Sequence, residues 1–390
     1  MRRIVTLCAG AIALFAPALQ AQASSDGPYK VLKSARVGGE GGTDYIYADV
    51  DNRRIYIPRG PVRATPATET QPAHEAAQGH VSVFNIETLA LISDEPNTVG
   101  QGAANGAASD TKSGHFFLSS HPDVSMWDAK TFKLLKQIPA DSGFGPDGIL
   151  GDSYKQRVYV FSHPTKSAGV FDAKDGSYVG HIDLGGVPEQ AVADGKGTLY
   201  VVLQDAEGGV AKVDVNTMKV TATFPFKDKG GSCNGLAFDA KNHVLFAACA
   251  TSGGLQPAVA GANGQMMPQR QLPQPQMVIL SSDDGHIITT LPLAGGSDGA
   301  AFNPSTMEAF SSHGNGTMTI VKENSPTSFV VEQNLNTMNG ARTIALDTKT
   351  GHVFVMSVER GPAPPPPAGG GRQGQAPVIP GSFTILMIGK

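Results

Sequence analysis

Residues 144–186 read FGPDGILGDSYKQRVYVFSHPTKSAGVFDAKDGSYVGHIDLGG, and they hold four short segments with the composition of β-strands. An opening segment at Gly148–Leu150 is followed by RVYVFS, AGVFD and YVGHIDL, with turn-forming residues between them. The segments carry apolar residues on both sides, which is typical of a sheet that is packed on both faces. Four strands within this length match one blade of a β-propeller, whose period is roughly 40–50 residues.

The same unit recurs along the whole chain. Each repeat opens with an acidic or amide residue, and consecutive openings are 61, 42, 42, 45, 64 and 41 residues apart. Repeats of this period that contain only strands predict an all-β fold, a seven-bladed β-propeller. The seven opening residues are Asp44, Asn105, Asp147, Glu189, Asn234, Asp298 and Asn339.

The two ends of the propeller are expected to meet in one sheet. Tyr29–Gly39 reads as a strand without a blade of its own, and it resembles the last strands of the other repeats. The final repeat supplies only a third strand, SFTILMIGK, at residues 382–390. We therefore predict that the N-terminal strand completes the last blade and closes the ring without an open edge.

Residues 1–23 have the features of a secretory signal peptide. Arg2 and Arg3 precede an apolar run from Ile4 to Leu19, and Ala-Gln-Ala ends the segment at residue 23. We expect residues 24–390 to form one propeller that is periplasmic or secreted, monomeric and without a membrane span. Without the two arginines, the formal charge is 28 − 34 = −6. This balance makes a nucleic-acid partner unlikely in comparison with a protein, a peptide or a small molecule.

Three insertions lengthen the repeats, at residues 60–79, 251–276 and 361–381. Each follows the second strand of its blade, so all three are expected on the same face of the disk. Long loops on a rigid scaffold often carry function. The alternative is neutral variation in tolerant surface loops.

The repeats resemble those of a known family. Third strands such as VSVFNIETL, VSMWDAKTF, AGVFDAKDG and VAKVDVNTM are similar to the V-x-V-x-D-x-x-T core of YVTN repeats. Second strands such as IYIPRG, VYVFSH, LYVVLQ and VFVMSV resemble the Y-V-x-N segment, with Asn replaced. The chain thus resembles exported seven-bladed propellers of the YncE-like YVTN family. The resemblance implies the fold but no single function, because such propellers host unrelated activities.

The polar residues that open the first strands are expected to surround one mouth of the central channel. Carboxylates and amides in such a ring suit a hard cation or ordered water. The simpler alternative is that the recurring Asn-Gly and Asp-Gly dipeptides only mark turns.

A second polar set ends the second strands on the same face. Its members lie 15 or 16 residues after the opening residue of their blade, and they are Arg59, His121, His163, Gln204 and His313. The three histidines form a candidate transition-metal site, since imidazole is a common ligand of such ions. The alternative is that the His-Pro pairs only end a strand.

Cys233 and Cys249 flank one hairpin, each eight residues from Lys241. In an oxidising compartment this placement predicts a structural disulfide, with two free thiols as the alternative.

The sequence favours a binding or scaffolding module that holds a protein, peptide or small ligand at the mouth. It contains no G-x-S-x-G elbow, phosphate loop, H-E-x-x-H or dinucleotide fingerprint. The alternative is an enzyme with its site at the mouth. That enzyme would be a lactonase-like hydrolase or a metal-dependent activity that uses His121, His163 and His313.

Overall fold

The computed structural model describes residues 26–64, 66, 73, 75–100, 102–141, 143–205, 207–250, 254–255, 271–272, 274–363 and 376–390. The predicted signal peptide, and much of the insertions predicted at 60–79, 251–276 and 361–381, lie outside these residues. The described chain forms seven four-stranded antiparallel sheets arranged as a ring, so the predicted all-β seven-bladed propeller is confirmed.

The first three blades follow the chain in order after strand β1, which covers Lys30–Arg36. Blade one contains β2 (Tyr47–Asp49), β3 (Arg54–Arg59), β4 (His80–Asn85) and β5 (Leu91–Pro96). Blade two contains β6 (Ala104–Asp110), β7 (His115–Ser120), β8 (Val124–Asp128) and β9 (Leu134–Ile138). Blade three contains β10 (Pro146–Asp152), β11 (Arg157–Ser162), β12 (Ser167–Asp172) and β13 (Tyr178–Asp183).

The next two blades differ in what connects their strands. Blade four contains β14 (Pro188–Ala193), β15 (Thr198–Leu203), β16 (Gly209–Asp214) and β17 (Lys219–Pro225), and a 3-10 turn follows at Lys227–Lys229. Blade five contains β18 (Cys233–Asp239), β19 (Val244–Cys249), β22 (Gln276–Ser281) and β23 (Ile287–Pro292). A small separate pair, β20 (Gly254–Leu255) and β21 (Gln271–Leu272), lies in sequence between β19 and β22.

The last two blades complete the ring. Blade six contains β24 (Ser297–Asn303), β25 (Glu308–His313), β26 (Thr317–Ser325) and β27 (Ser328–Asn336). Blade seven contains β28 (Ile344–Leu346), β29 (Val353–Ser357), β30 (Thr384–Gly389) and β1. Within the described ranges, no helix is long and apolar enough to cross a membrane.

The ring closes through β1, as the sequence predicts. β1 pairs antiparallel with β30, from Lys30 opposite Gly389 to Arg36 opposite Thr384. The last sheet therefore has the order β1-β30-β29-β28 and contains chain from both ends of the propeller. Backbone pairing between distant segments removes an edge that would otherwise stay open to other strands.

A buried carboxylate in blade six strengthens this closure. Glu308 is fully buried, accepts a hydrogen bond from the Tyr29 hydroxyl, and forms an ion pair with Lys390, whose Nζ lies 2.8 Å from Oε1. The Gln333 side chain binds the backbone of Tyr29 twice, at 3.0 Å and 2.9 Å. Residues just outside β1 and β30 are thus both fixed to blade six. We call this group the seam clasp.

Adjacent blades bury their faces against each other. Between blades one and two, Tyr56 and Phe116 are both fully buried, and the centroids of their rings lie 4.8 Å apart. All six residues of β19, VLFAAC, are buried. This packing on both faces explains why the middle strands are apolar throughout instead of alternating.

Most of the Asn-Gly and Asp-Gly dipeptides do not lie in turns, which was the simpler interpretation of their recurrence. Four of the five lie inside first strands, where the pairing register shifts, and only Asn339-Gly340 lies in a turn. A Cβ at Gly235 would lie 2.8 Å from the Ala300 backbone nitrogen of the next blade. The turn interpretation is therefore wrong for these four, and at Gly235 glycine is needed because the neighbouring first strand approaches closely.

Asp239, the last residue of β18, forms a buried carboxyl pair with Glu323 of β26. This pair lies at the end of a first strand, not at its start. Asp239 and Glu323 are 1% and 3% exposed, and Asn242 Nδ2 donates to Glu323 Oε1 at 2.7 Å. Burial, followed by the charge of Asp239, raises the pKa of Glu323 to about 7. Glu323 is therefore protonated over part of the ordinary pH range.

Candidate functional site

The first strands place the predicted polar residues around one mouth of the channel. First strands of consecutive blades contact one another in the closed ring order. In blades two to six the opening residue is the second residue of its strand, namely Asn105, Asp147, Glu189, Asn234 and Asp298. In blades one and seven the first strands are short, so Asp44 and Asn339 precede β2 and β28.

One half of the mouth is a chain of contacts from blade two to blade four. Asn105 Nδ2 donates to Asp147 Oδ1 at 2.6 Å, and Asp147 Oδ2 lies 2.8 Å from His163 Nε2. The same Nε2 lies 3.3 Å from Glu189 Oε1, to which the Gln204 amide also donates. We call this group the histidine arc.

The other half runs from blade five to blade one. Asn234 Nδ2 donates to Asp298 Oδ1 at 2.8 Å, and Arg342 Nη1 lies 2.8 Å from Asp298 Oδ2. Arg342 Nη2 lies 3.2 Å from Asp44 Oδ1, and the Thr343 hydroxyl donates to the Asp44 carbonyl at 2.7 Å. We call this group the arginine arc.

Two long side chains span the channel and connect its sides. The Tyr45 hydroxyl of blade one donates to Glu189 Oε2 of blade four at 3.0 Å. The Gln190 side chain accepts from the backbone N–H groups of Leu236 and Ala300, at 3.0 Å and 2.9 Å, and donates to the Ala300 carbonyl at 2.8 Å. These bridges fix the first strands of four blades relative to one another.

Tyr45, Gln190 and Arg342 were not among the residues predicted at the mouth, although the repeat contains a signal for them. Five blades have glycine immediately after the opening polar residue, and the two exceptions are Tyr45 and Gln190. Arg342 lies three residues after Asn339, where the other blades carry Tyr or an apolar residue. A departure from the repeat therefore marks each side chain that reaches across the mouth.

The electrostatics of the mouth follow from its carboxylates. Burial, and then the charge of Asp147, raise the pKa of Asp44 to about 7, although Arg342 opposes this shift. Burial, followed by the negative charge of Glu189, raises the pKa of Tyr45 well above its ordinary value.

Contacts with carboxylates set the charge of the histidine arc. Asp147, and then Glu189, raise the pKa of His163 to about 10, so the imidazole is charged at neutral pH. Burial alone would raise the pKa of Asp147, but the contacts with His163 and Asn105 outweigh it and lower the value.

Arg59 is not exposed at the mouth, contrary to expectation. Its side chain is 1% exposed, and the guanidinium lies over the Phe383 ring, 3.8 Å from the centroid. Nε donates to Ser82 Oγ and Nη2 to the Gly38 carbonyl, both at 3.0 Å. Burial lowers its pKa to about 10. Arg59 therefore packs blade one against blade seven, and the mouth prediction for it is corrected.

The structure does not bring the three predicted histidines together. His313 is fully buried, its Nε2 lies 3.0 Å from Thr319 Oγ1, and burial lowers its pKa to about 4. His121 is half-buried beside Gly145. Among the described residues, donor atoms that lie within 4.8 Å of one another occur instead in Asp147, His163 and Glu189.

Asn339 also differs from the other opening residues. It is exposed in a turn, and its carbonyl accepts a hydrogen bond from Ser357 Oγ at 2.6 Å. In blade seven it is Arg342, not Asn339, that contacts the other polar residues of the mouth.

Cys233 and Cys249 form a disulfide in the structure, with the two sulfurs 2.05 Å apart. The two residues are paired at the end of the β18–β19 ladder, and both are fully buried. The bond therefore holds the mouth-side end of blade five, next to the start of the connection to β22.

Comparisons with known proteins support the fold. No protein-family model and no curated protein sequence matches the chain. The solved WD40 repeats of RRP9 superpose with a TM-score of 0.63 at 10% identity, covering 94% of this chain and 99% of that one. U3-55K gives 0.62 at 9% identity, covering 92% and 98%.

A third similar structure comes from a different kind of protein. Hydrazine synthase of Kuenenia stuttgartiensis superposes with a TM-score of 0.61 at 14% identity, covering 80% of this chain and 91% of that one. At these identities the likeness shows a seven-bladed propeller.

Proposed function

We propose that this chain is an exported propeller of the YVTN type that acts as a binding module and holds a positively charged ligand at the channel mouth. The observation that carries the proposal is the charge of the two arcs. The mouth contains four carboxyl side chains and only two cationic ones. The acids are Asp44, Asp147, Glu189 and Asp298, and the cations are His163 and Arg342.

The position of these carboxylates strengthens their effect on a ligand. The side chains of Asp147 and Glu189 are 13% and 9% exposed, so water and salt screen them less than surface acids. A concave site with an excess of one sign of charge attracts ligands of the opposite sign. An amine or guanidinium group, from a small molecule or from a protein side chain, has the charge and the donors that this mouth accepts.

Two further observations support an exported module with a protein or peptide partner. The connections after β3, β19 and β29 are long, and the strands that they follow end on the same face as the mouth. The Cys233–Cys249 disulfide fits an oxidising compartment.

A metal-dependent enzyme is the second candidate. The observation that favours it is the juxtaposition of His163 with Asp147 and Glu189. A lactonase-like hydrolase would use the same mouth. Turnover of a lactone or ester that disappears in His163→Ala would favour an enzyme over a binding module.

Calorimetric titration tests the binding proposal, with cadaverine, a trilysine peptide and Zn²⁺ as separate probes. We expect at least one probe to bind the wild type, more weakly as salt rises. Its affinity should fall by at least about 10-fold in the double variant Asp44→Asn/Asp298→Asn, which removes two of the four carboxyl groups from the mouth. Asp283→Asn/Asp284→Asn is the matched control, since both acids are exposed in the β22–β23 turn on the other face. Equal loss in both variants, or no binding of any probe, would refute the proposal.

A further inference from the structure

The histidine arc has the ligand set of a metal site. The donor atoms are Asp147 Oδ2, His163 Nε2 and Glu189 Oε1, and they converge within 4.8 Å. Nε2 lies 2.8 Å from one oxygen and 3.3 Å from the other. Ligands about 2.0–2.2 Å from a tetrahedral ion lie about 3.3–3.6 Å apart. One contact already has this spacing, and the other reaches it by opening about half an ångström.

The environment of the imidazole nitrogen also supports a metal site. Nε2 is shielded from solvent and, although it is close to both oxygens, it makes a well-aligned hydrogen bond with neither. Close approach to two carboxylate oxygens without alignment to either is compatible with an ion that replaces the Nε2 proton and is shared by the three atoms.

The outer oxygens of both carboxylates are held by donors from other blades. Asn105 Nδ2 binds Asp147 Oδ1 at 2.6 Å, and the Tyr45 hydroxyl binds Glu189 Oε2 at 3.0 Å. Such contacts orient metal ligands and are a regular feature of protein metal sites. They leave Asp147 Oδ2 and Glu189 Oε1 directed at His163, and Gln204 occupies only one of the two lone pairs of Glu189 Oε1.

We propose that Asp147, His163 and Glu189 bind a divalent first-row transition-metal ion of the Zn²⁺ type at the channel mouth. The inference deepens the proposed function, on which it rests, because it names the positive charge that the mouth holds. The ion takes the place of the Nε2 proton, which passes to water. Two carboxylates and one imidazole suit Zn²⁺, Mn²⁺, Fe²⁺ or Co²⁺, whereas Cu(I) prefers sulfur and Ca²⁺ prefers oxygen alone.

The geometry leaves room for a further ligand. Three protein ligands are typical of metal sites that keep an open position for water or an incoming group. The His163 side chain is 36% exposed although its Nε2 is shielded, so the three donor atoms lie just below the surface of the mouth. A partner with a carboxylate or carbonyl oxygen would complete the coordination.

The test uses the full exported protein, stripped with chelator and then dialysed. Zn²⁺ is titrated by calorimetry, and Co²⁺ is added in parallel because its visible absorption reports the ligand set. We expect one ion per chain, with an affinity at least about 100-fold lower in His163→Ala. His181→Ala is the matched control, since this exposed histidine lies on the outer strand of the same blade. Glu189→Gln preserves the shape of the site and should lose the ion as well.

Each outcome separates this inference from the proposed function. Tight Zn²⁺ binding that survives both His163→Ala and Glu189→Gln would overturn the proposed ligands. Binding of cadaverine or trilysine without Zn²⁺ or Co²⁺ would overturn the metal site but leave the cation-binding mouth in place. No binding of any of these probes would overturn both. Melting temperatures of the variants within a few degrees of the wild type show that they fold.

Discussion

Replacing Glu308 with alanine should loosen the ring where it closes. Glu308 is the buried acceptor of the seam clasp, and it holds Tyr29 beside β1 and Lys390 beside β30. Alanine would leave the Tyr29 hydroxyl and the Lys390 ammonium without this partner. We therefore expect β1 and β30 to be the first strands to open in the variant.

The magnitude follows from the burial of each contact. A buried hydrogen bond to a charged acceptor contributes about 1.5–3 kcal/mol, which applies to Tyr29. The ion pair contributes less than about 1 kcal/mol, because Lys390 is 46% exposed. Burial, a side-chain hydrogen bond with Glu308 and the charge of Glu308 raise the pKa of Glu332, so removing Glu308 takes away both a bond and a repulsion there. The expected loss is about 2–4 kcal/mol.

The assay is thermal unfolding, combined with hydrogen exchange of β1. For a folded chain of more than 350 residues, the loss corresponds to a fall in melting temperature of about 3–5 °C. Glu359→Ala is the matched control, because Glu359 pairs with Arg36 of β1 at 3.7 Å but both side chains are about half exposed. That exposed pair should contribute less than about 1 kcal/mol.

Comparison of Glu308→Ala with Glu359→Ala tests whether burial makes the seam clasp strong. If Glu308→Ala melts at the temperature of Glu359→Ala and exchanges its β1 amides no faster, the reasoning about the buried clasp is refuted. Glu308→Gln, which keeps an acceptor for Tyr29 but removes the charge, should fall between Glu308→Ala and the wild type.

Three further substitutions test a buried carboxyl, the disulfide and an inner strand. Because the pKa of Glu323 rises from 4.5 to about 7 on folding, its stabilising effect is present below pH 4.5 and lost as pH rises through 7. Urea unfolding should therefore show Glu323→Gln more stable than the wild type at pH 8, by at most about 3 kcal/mol, and similar to it at pH 4.5. The double variant Cys233→Ala/Cys249→Ala opens a 16-residue separation and should lose about 3 kcal/mol, and reductant should then have no further effect. Gly235→Ala meets backbone of the next blade and should cost about 1–3 kcal/mol in denaturant midpoint, whereas Gly314→Ala, with open space around it, should cost clearly less.

The repeat made the fold predictable. Strand period, turn residues and the regular return of a polar opening residue are local properties, and each blade repeats them. The sequence also predicts the closure by β1, because Tyr29–Gly39 resembles the last strand of a blade but has no blade of its own. The expected sheet order β1-β30-β29-β28 follows from these local patterns.

The repeat was a poorer guide to individual side chains. Arg59 and His313 occupy the same place in the repeat as His163, but they are buried, whereas His163 faces two carboxylates. The position of a residue in its strand determines how far along the channel axis it lies. The packing of the neighbouring blade decides whether its side chain turns toward the mouth or into the interface between blades.

The sequence by itself thus determined the all-β class, the seven blades, the closing strand and the ring of polar residues at one mouth, because these depend on local periodicity. Only the tertiary structure decided which of those residues meet. Tyr45 reaches Glu189 across 144 residues of chain, and Arg342 reaches Asp44 across 298. Such contacts exist only once the ring has closed and brought first strands from distant blades around one channel, so no spacing along the sequence specifies them.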